Sequence, residues 1–298
     1  MTKVKRTIVL TLRIMTLTYQ KNKMTQATRR LKISLLSLLA LFCVSASAQC
    51  TFRNTAFKSG ERLSYNLYFN WKFVWVKVGT ASFDIDQTKF LGKQAYKGSL
   101  ITRGNKRADR FFVLRDTLLC YNTLDMAPLY YRKGAKEGKR YTVDEVYYTY
   151  PNGKCHVKQH RLKHDGTHSR SQRTLNECVY DMMSIFMRAR SFNPTGWKKG
   201  YVVNFPIVDG TKVYAAQLRY QGTVNIKADN GHTYRCLKLA YMDKDDDSNK
   251  WEKVVDFFVS DDENHIPVRL DLHLKFGSAK AFMTSVTGLR NAEKSMVK

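Results

Sequence analysis

Acidic side chains are scarce in this 298-residue chain: 25 Asp and Glu stand against 51 Lys and Arg, a formal charge of +26 at pH 7. That imbalance points to a polyanion or an anionic surface as partner and not to a basic one. Catalytic signatures are missing as well. The chain has no G-x-S-x-G elbow, no H-E-x-x-H, no P-loop and no dinucleotide fingerprint. It has no C-x-x-C pair, which removes the usual redox and zinc-ribbon spacings. No Gly-, Pro- or Ser-rich linker interrupts residues 50–290. What remains is 43% hydrophobic and 26% charged, enough to bury a substantial core and unlike disordered or collagen-like chains.

Residues 1–48 carry nine basic residues and no acidic one, the pattern of a targeting segment. Arg29, Arg30 and Lys32 form its positive region, residues 33–44 its apolar region, and Ala46-Ser47-Ala48 a cleavage site that sets the mature start at Gln49. The apolar run is shorter than the roughly 20 residues of a membrane span, so no transmembrane span is expected in the mature chain. Residues 1–23 make the leader long, and Met24 offers an alternative start before a signal of ordinary length. Gln49 stands where a lipid-acylation signal before Cys50 wants a small residue. Loss of the leader lowers the formal charge from +26 to +17. The expected location is the periplasm or cell envelope of a bacterium, or outside the cell, which removes nucleic acid as partner despite the charge. Export also permits disulfides among Cys50, Cys120, Cys155, Cys178 and Cys236, an odd set whose pairing the sequence leaves open.

Period-two alternation dominates the rest. Leu63, Tyr65, Leu67, Phe69, Trp71 and Phe73 alternate with polar neighbours, a half-buried strand whose parity breaks near Trp75 at a bulge or bend. Further strand-like runs fall at 111–114, 117–121, 129–131, 145–150, 155–162, 201–207, 214–220, 223–227, 234–242, 251–259, 268–276 and 279–287. Pro151-Asn152-Gly153, Asp165-Gly166, Asp209-Gly210 and Asp229-Asn230-Gly231 are turn signals between them. One helix is predicted, capped by Asp181, with Met182, Ile185, Phe186 and Ala189 as its apolar face and Asn193-Pro194 after its end. These features predict a mainly β fold: a large curved antiparallel sheet or open barrel with one principal helix packed on it, or alternatively a two-layer β-sandwich. Residues 49–298 are expected to form one domain.

The candidate sites are each weak as chemistry. His156, His160, His164 and His168 recur every four residues, a spacing that suggests metal, but the Asp165-Gly166 turn separates the last pair and nearby lysines and arginines repel a cation. Asp243, Asp245 and Asp247 start like a calcium loop that fails at Ser248 and Val254. Asp181, Glu61, Asp116, Asp256 and Asp261 are carboxylates available to a hydrolase, with Asp181 better used as a cap. Neither a catalytic residue, a metal ligand nor a cofactor site is nominated. Basic clusters at Arg103, Lys106, Arg107, Arg110 and Arg115, and at Arg132, Lys133, Lys136, Lys139 and Arg140, suit an anionic glycan or lipid headgroup. Trp71 and Trp75 are placed to line an apolar pocket. The candidate ligand residues are therefore Trp71, Trp75, Arg132, Lys133 and Lys136.

Three stretches resemble a known family. Phe57-Lys58-Ser59-Gly60-Glu61-Arg62-Leu63-Ser64-Tyr65 leading to Val78-Gly79-Thr80-Ala81, then Tyr180-Asp181-Met182-Met183-Ser184 running to Arg188, then Ser260-Asp261-Asp262 with Ile266-Pro267-Val268, are similar to the exported bacterial proteins grouped as domain of unknown function 3108. The resemblance implies a β-rich envelope protein without an established activity. The expected function is non-enzymatic binding of an apolar, amphiphilic or anionic envelope ligand. The alternatives are an interaction module for a partner protein or surface polysaccharide and, third, a glycan hydrolase.

Overall fold

The computed structural model describes residues 50–71, 74–244, 249–274 and 277–297. The leader, the alternative start at Met24 and the centre of the acidic loop, with Asp245 and Asp247, lie outside these residues, as does the side chain of Trp71.

Eight strands precede the helix: β1 (Glu61–Trp71), β2 (Val74–Phe90), β3 (Lys93–Gly104), β4 (Leu114–Thr123), β5 (Pro128–Glu137), β6 (Arg140–Thr149), β7 (Cys155–Leu162) and β8 (His168–Leu175). Helix α1 (Met182–Ala189) follows, and then β9 (Val202–Asp209), β10 (Lys212–Lys227), β11 (Thr233–Lys244), β12 (Trp251–Ser260), β13 (Pro267–Leu274), β14 (Gly277–Thr287) and the short β15 (Met296–Val297). All belong to one antiparallel sheet. Its order runs from β8 back to β1, across to β14 and on to β9, with β15 added to β11. Helix α1 thus divides the chain into two strand-rich halves that meet where β1 pairs with β14.

The sheet curls without closing. Strands from both halves bury alternate residues in one cluster, including Leu63, Phe83, Cys120, Val146, Val157, Val208, Val268 and Met283. The outer strands β8 and β9 are not laddered together. Instead Gln159 Nε2 donates to Gly210 O (3.1 Å) and Lys212 O (3.0 Å), and Ser171 Oγ donates to Thr211 O (3.0 Å), tying β7 and β8 to the β9–β10 turn. The polar sequence of β8, with Arg170 and Arg173, suits an exposed edge because charged edges resist pairing with another chain.

Helix α1 fills the concave side. Asp181 caps it as its sequence position predicts, Oδ1 accepting from Met183 N (3.0 Å) and Ser184 N (2.8 Å). Its Oδ2 accepts from Ser184 Oγ (2.7 Å) and Tyr148 Oη (3.1 Å). The predicted apolar face needs correction: Met182 is exposed, while Met183, Ser184, Ile185 and Met187 are buried. A helix enclosed by a curled sheet buries more than one stripe. Met183 and Met187 enter the larger core cluster and Ile185 a second one with Phe205, Leu218 and Leu239.

Some strand predictions also shift. Strands β3 and β8 carry no strand signal in the sequence, because Lys93–Gly104 and His168–Leu175 are too polar to show a clear apolar phase. Residues 111–114 are not a strand: a short 3-10 turn at Ala108–Arg110 leads into an irregular link that reaches β4 at Leu114. The parity break near Trp75 has two parts, the reversal between β1 and β2 and a bulge that leaves Val78 unmatched between Lys77 and Gly79. Gly79 is needed there, since a Cβ would lie 2.2 Å from the Arg103 carbonyl oxygen. Cys50 and Cys178 form a disulfide, leaving Cys120, Cys155 and Cys236 as buried thiols.

Candidate functional site

Because neighbouring strands alternate in direction, the links after β1, β3, β5, β7, β9, β11 and β13 lie at one end of the sheet, here called the rim. The link after β3 is built tightly. Asn105 Oδ1 accepts from Arg107 N (3.0 Å) and Ala108 N (2.8 Å), and its Nδ2 donates to Lys77 O (2.8 Å). Arg115 clamps the 3-10 turn from below through a forked pair with Asp109, one arm at 3.0 Å. The chain then turns out two adjacent phenylalanines, Phe111 (81% exposed) and Phe112 (51%). Gly138 N donates to Val113 O (2.7 Å), and the Phe112 ring lies so close over Gly138 that a Cβ there would meet it at 3.3 Å. The β3–β4 and β5–β6 links therefore form one continuous patch.

This contact joins the two basic clusters of the sequence. Lys106, Arg107 and Arg110 on one link, Lys139 on the other, and Arg103, Lys136 and Arg140 at the strand ends beside them are all exposed. Asp109 is already held by Arg115, which leaves Glu137 as the exposed acid of the two links. Other exposed apolar side chains at this end are Trp75, Tyr141, Trp251 and Leu274, with Lys280 Nζ 4.1 Å above the Trp75 ring. Such side chains are individually ordinary on a protein surface, but grouped among cations they form an amphipathic rim.

Strand alternation separates the predicted basic residues. Lys136 belongs to the rim patch. Arg132 lies on the convex face, its Nε 3.9 Å from Glu145 Oε1. Lys133 has the same parity as core residue Tyr131 and so faces the concave side. There it stands between Asp116 and Asp144, and the field of its ammonium lowers the proton affinity of both carboxyls. Burial wins over that field: it pushes Asp116 up to about 6, with help from Glu137, and raises Asp144 despite Arg161 Nε at 3.4 Å. The interior is thus apolar around α1 and charged toward the rim. Trp75 sits at the rim on the β1–β2 hairpin.

The remaining candidates are structural. Glu61 is paired with Arg190 inside the protein, Asp181 caps α1, Asp256 accepts from Lys253 (2.9 Å) and His273 (3.0 Å), and Asp261 accepts from Arg235 (2.7 Å). His160 contacts His168 (2.7 Å) and Glu145 (3.1 Å), while His156 turns to Thr174 (2.8 Å). Among the described residues no group of three or more His, Cys, Asp or Glu is placed to hold a metal ion. On the convex face Phe90, Tyr121, Tyr130 and Tyr147 form a cross-strand ladder with ring centroids 4.5 to 6.3 Å apart. Phe90 stacks on Tyr121 and Tyr130 while the Tyr121–Tyr130 and Tyr130–Tyr147 pairs are tilted, mutual contacts that suit sheet stabilisation.

The stretches that carry the resemblance hold structural residues. Glu61, Gly79 and Asp181, all in the stretches that carry the resemblance, hold the interior ion pair, the bulge and the helix cap. Residues 64–284 match the family described as Protein of unknown function (DUF3108). The chain belongs to this family. No curated protein matches this DUF3108 chain. Among solved structures, a beta-barrel-like protein of domain of unknown function DUF1849 from Brucella abortus is 13% identical with a TM-score of 0.52, covering 82% of this chain and 100% of that one. That likeness is one of fold. A second, described as a "putative lipoprotein" from Parabacteroides distasonis, is 12% identical with a TM-score of 0.36 over 80% of this chain and 100% of its own. Among the described residues of this DUF3108 chain, no helix is long and apolar enough to cross a membrane.

Phe111 and Phe112 fall in a stretch whose apolar run predicts a strand. Two adjacent aromatics between Arg110 and Arg115 break period-two alternation, and that break was the available signal.

Proposed function

We propose that this is an exported, non-enzymatic envelope protein, folded as one domain, that engages an anionic amphiphile at its rim. The observation that carries the reading is the pair Phe111 and Phe112 projecting from a clamped link, with seven exposed cations on this link, its neighbour and the adjoining strand ends. Export is supported by the basic leader with its Ala46-Ser47-Ala48 site and by the Cys50–Cys178 disulfide, a bond that persists in oxidising compartments. The same bond occupies the Cys50 sulfur that a lipid anchor would need.

The energetics favour a surface that is both charged and apolar. Burying one Phe side chain contributes about 1.5–3 kcal/mol, and each Lys or Arg near an anionic leaflet about 1 kcal/mol. Seven cations therefore outweigh two phenylalanines at low salt and lose much of their share as the screening length shrinks to about 8 Å at physiological salt. The interior offers less room: α1 and its methionines occupy the concave side, which supports the rim over the inside of the curl.

The reading is tested by flotation of the mature protein with vesicles of phosphatidylglycerol or of phosphatidylcholine. Binding to the anionic vesicles that weakens with salt supports it. Equal recovery with both lipids, or with neither, contradicts it.

A further inference from the structure

A second concentration of positive charge lies at the opposite end of the sheet, where β9 begins. A cleft of about 360 Å3 is lined by Lys199, Gly200, Arg219, Tyr220, Gln221 and Lys238, three cations without a carboxylate. The backbone opens it. The β10–β11 register jumps between Tyr220 and Thr223, so Gln221 and Gly222 bulge away from their partner strand, with Gly222 at φ +105°. Gly200 N donates to Tyr220 O (2.8 Å) and Tyr220 N to Tyr201 O (2.9 Å), which pins the segment carrying Lys199 beside the bulge.

The cations of this cleft are poorly matched from within. Arg219 Nε is buried without a hydrogen-bond partner. Lys238 Nζ reaches Asp256 Oδ1 only at 4.0 Å, a loose ion pair, while Lys253 and His273 both hold the other oxygen, Oδ2. A guanidinium remains charged at any ordinary pH, and a buried donor left without an acceptor is costly. An oxyanion in the cleft would instead face three cations and no lining carboxylate.

We propose that this cleft binds a phosphoryl or sulfuryl group carried on a small polar molecule. Arg219 supplies planar, paired donors and Lys199 and Lys238 supply point charges, the combination suited to a tetrahedral oxyanion. The volume lies near the lower limit of ligand cavities, which favours a single group with a sugar-sized or smaller carrier. The site is separate from the rim and stands independently of the function proposed there.

Trp197 is a built-in reporter, stacked on Tyr201 (4.8 Å) and edge-on to Tyr220 (5.9 Å). Sodium phosphate and sodium sulfate are titrated against sodium chloride at constant ionic strength, following heat release by calorimetry and, in a Trp71→Phe, Trp75→Phe, Trp251→Phe background, the fluorescence of Trp197. Glucose 6-phosphate and glycerol 1-phosphate then separate a sugar-borne group from a lipid-headgroup one. The expected result is saturation with phosphate and sulfate but not chloride, weakened about tenfold or more by Arg219→Gln and less by Arg219→Lys. Should Arg219→Gln fail to fold, the exposed Lys199→Gln gives the same readout and must also weaken binding. Absence of saturation in the wild type, or a folded Arg219→Gln or Lys199→Gln that titrates like wild type, overturns the proposal.

Discussion

Glu61 at the start of β1 and Arg190 just after α1 form an ion pair in the protein interior, with side chains 0% and 2% exposed. Arg190 Nη2 also donates to Asn264 O (2.9 Å), and His265 Nδ1 lies 2.5 Å from Arg190 O. The pair therefore joins β1, the helix exit and the β12–β13 turn. Removing one partner leaves a buried charge uncompensated, so Glu61→Gln is expected to cost about 3–5 kcal/mol. Urea unfolding measures this, and a double variant Glu61→Leu with Arg190→Met should recover much of the loss. A loss below that of an ordinary surface substitution would show that the pair is not buried.

Asp181 is buried under α1, and burial raises its carboxyl to about 6 even though Ser184 and Tyr148 hydrogen-bond to it. The unfolded chain has the ordinary value near ~3.9, so the folded protein holds this proton more tightly. Stability from this group is full below about pH 4 and is lost as pH rises through about 6. Asn at this position still accepts the helix N–H groups. Asp181→Asn should therefore gain stability relative to wild type as pH rises from 4 to 7, seen as diverging urea midpoints. Parallel midpoints across that range would contradict a raised Asp181.

The disulfide ties residue 50 to residue 178, 128 positions apart. Loss of such a cross-link typically costs about 2–4 kcal/mol. Cys178→Ser should lower the unfolding midpoint accordingly. Thiol counting in denaturant without reductant should find three free thiols in residues 50–298, those of Cys120, Cys155 and Cys236. Five thiols would show that the bond is not formed.

The sequence made the strands legible wherever one face is apolar, as in β1 and β10–β14, because alternation records burial directly. It located the Asp181 cap, since an acceptor before an apolar helical run has one common use. It failed for β3 and β8, whose side chains are polar and whose strand character comes from pairing. At the rim, sequence adjacency grouped Arg132, Lys133 and Lys136, while the pleat sends Lys133 inward and Arg132 and Lys136 outward. The union of the β3–β4 and β5–β6 links is invisible in sequence because it rests on Gly138 reaching Val113 across the fold.

In the proposed function the rim enters an anionic lipid surface with Phe111 in front. The most direct measurement replaces that residue, Phe111→Trp, and records fluorescence quenching by phosphatidylglycerol vesicles brominated in their acyl chains, compared with the wild type. Added quenching is expected in the variant, abolished by charge reversal at Lys136, Lys139 and Arg140. Quenching no greater than in the wild type, with the protein folded and the vesicles in excess, would contradict it.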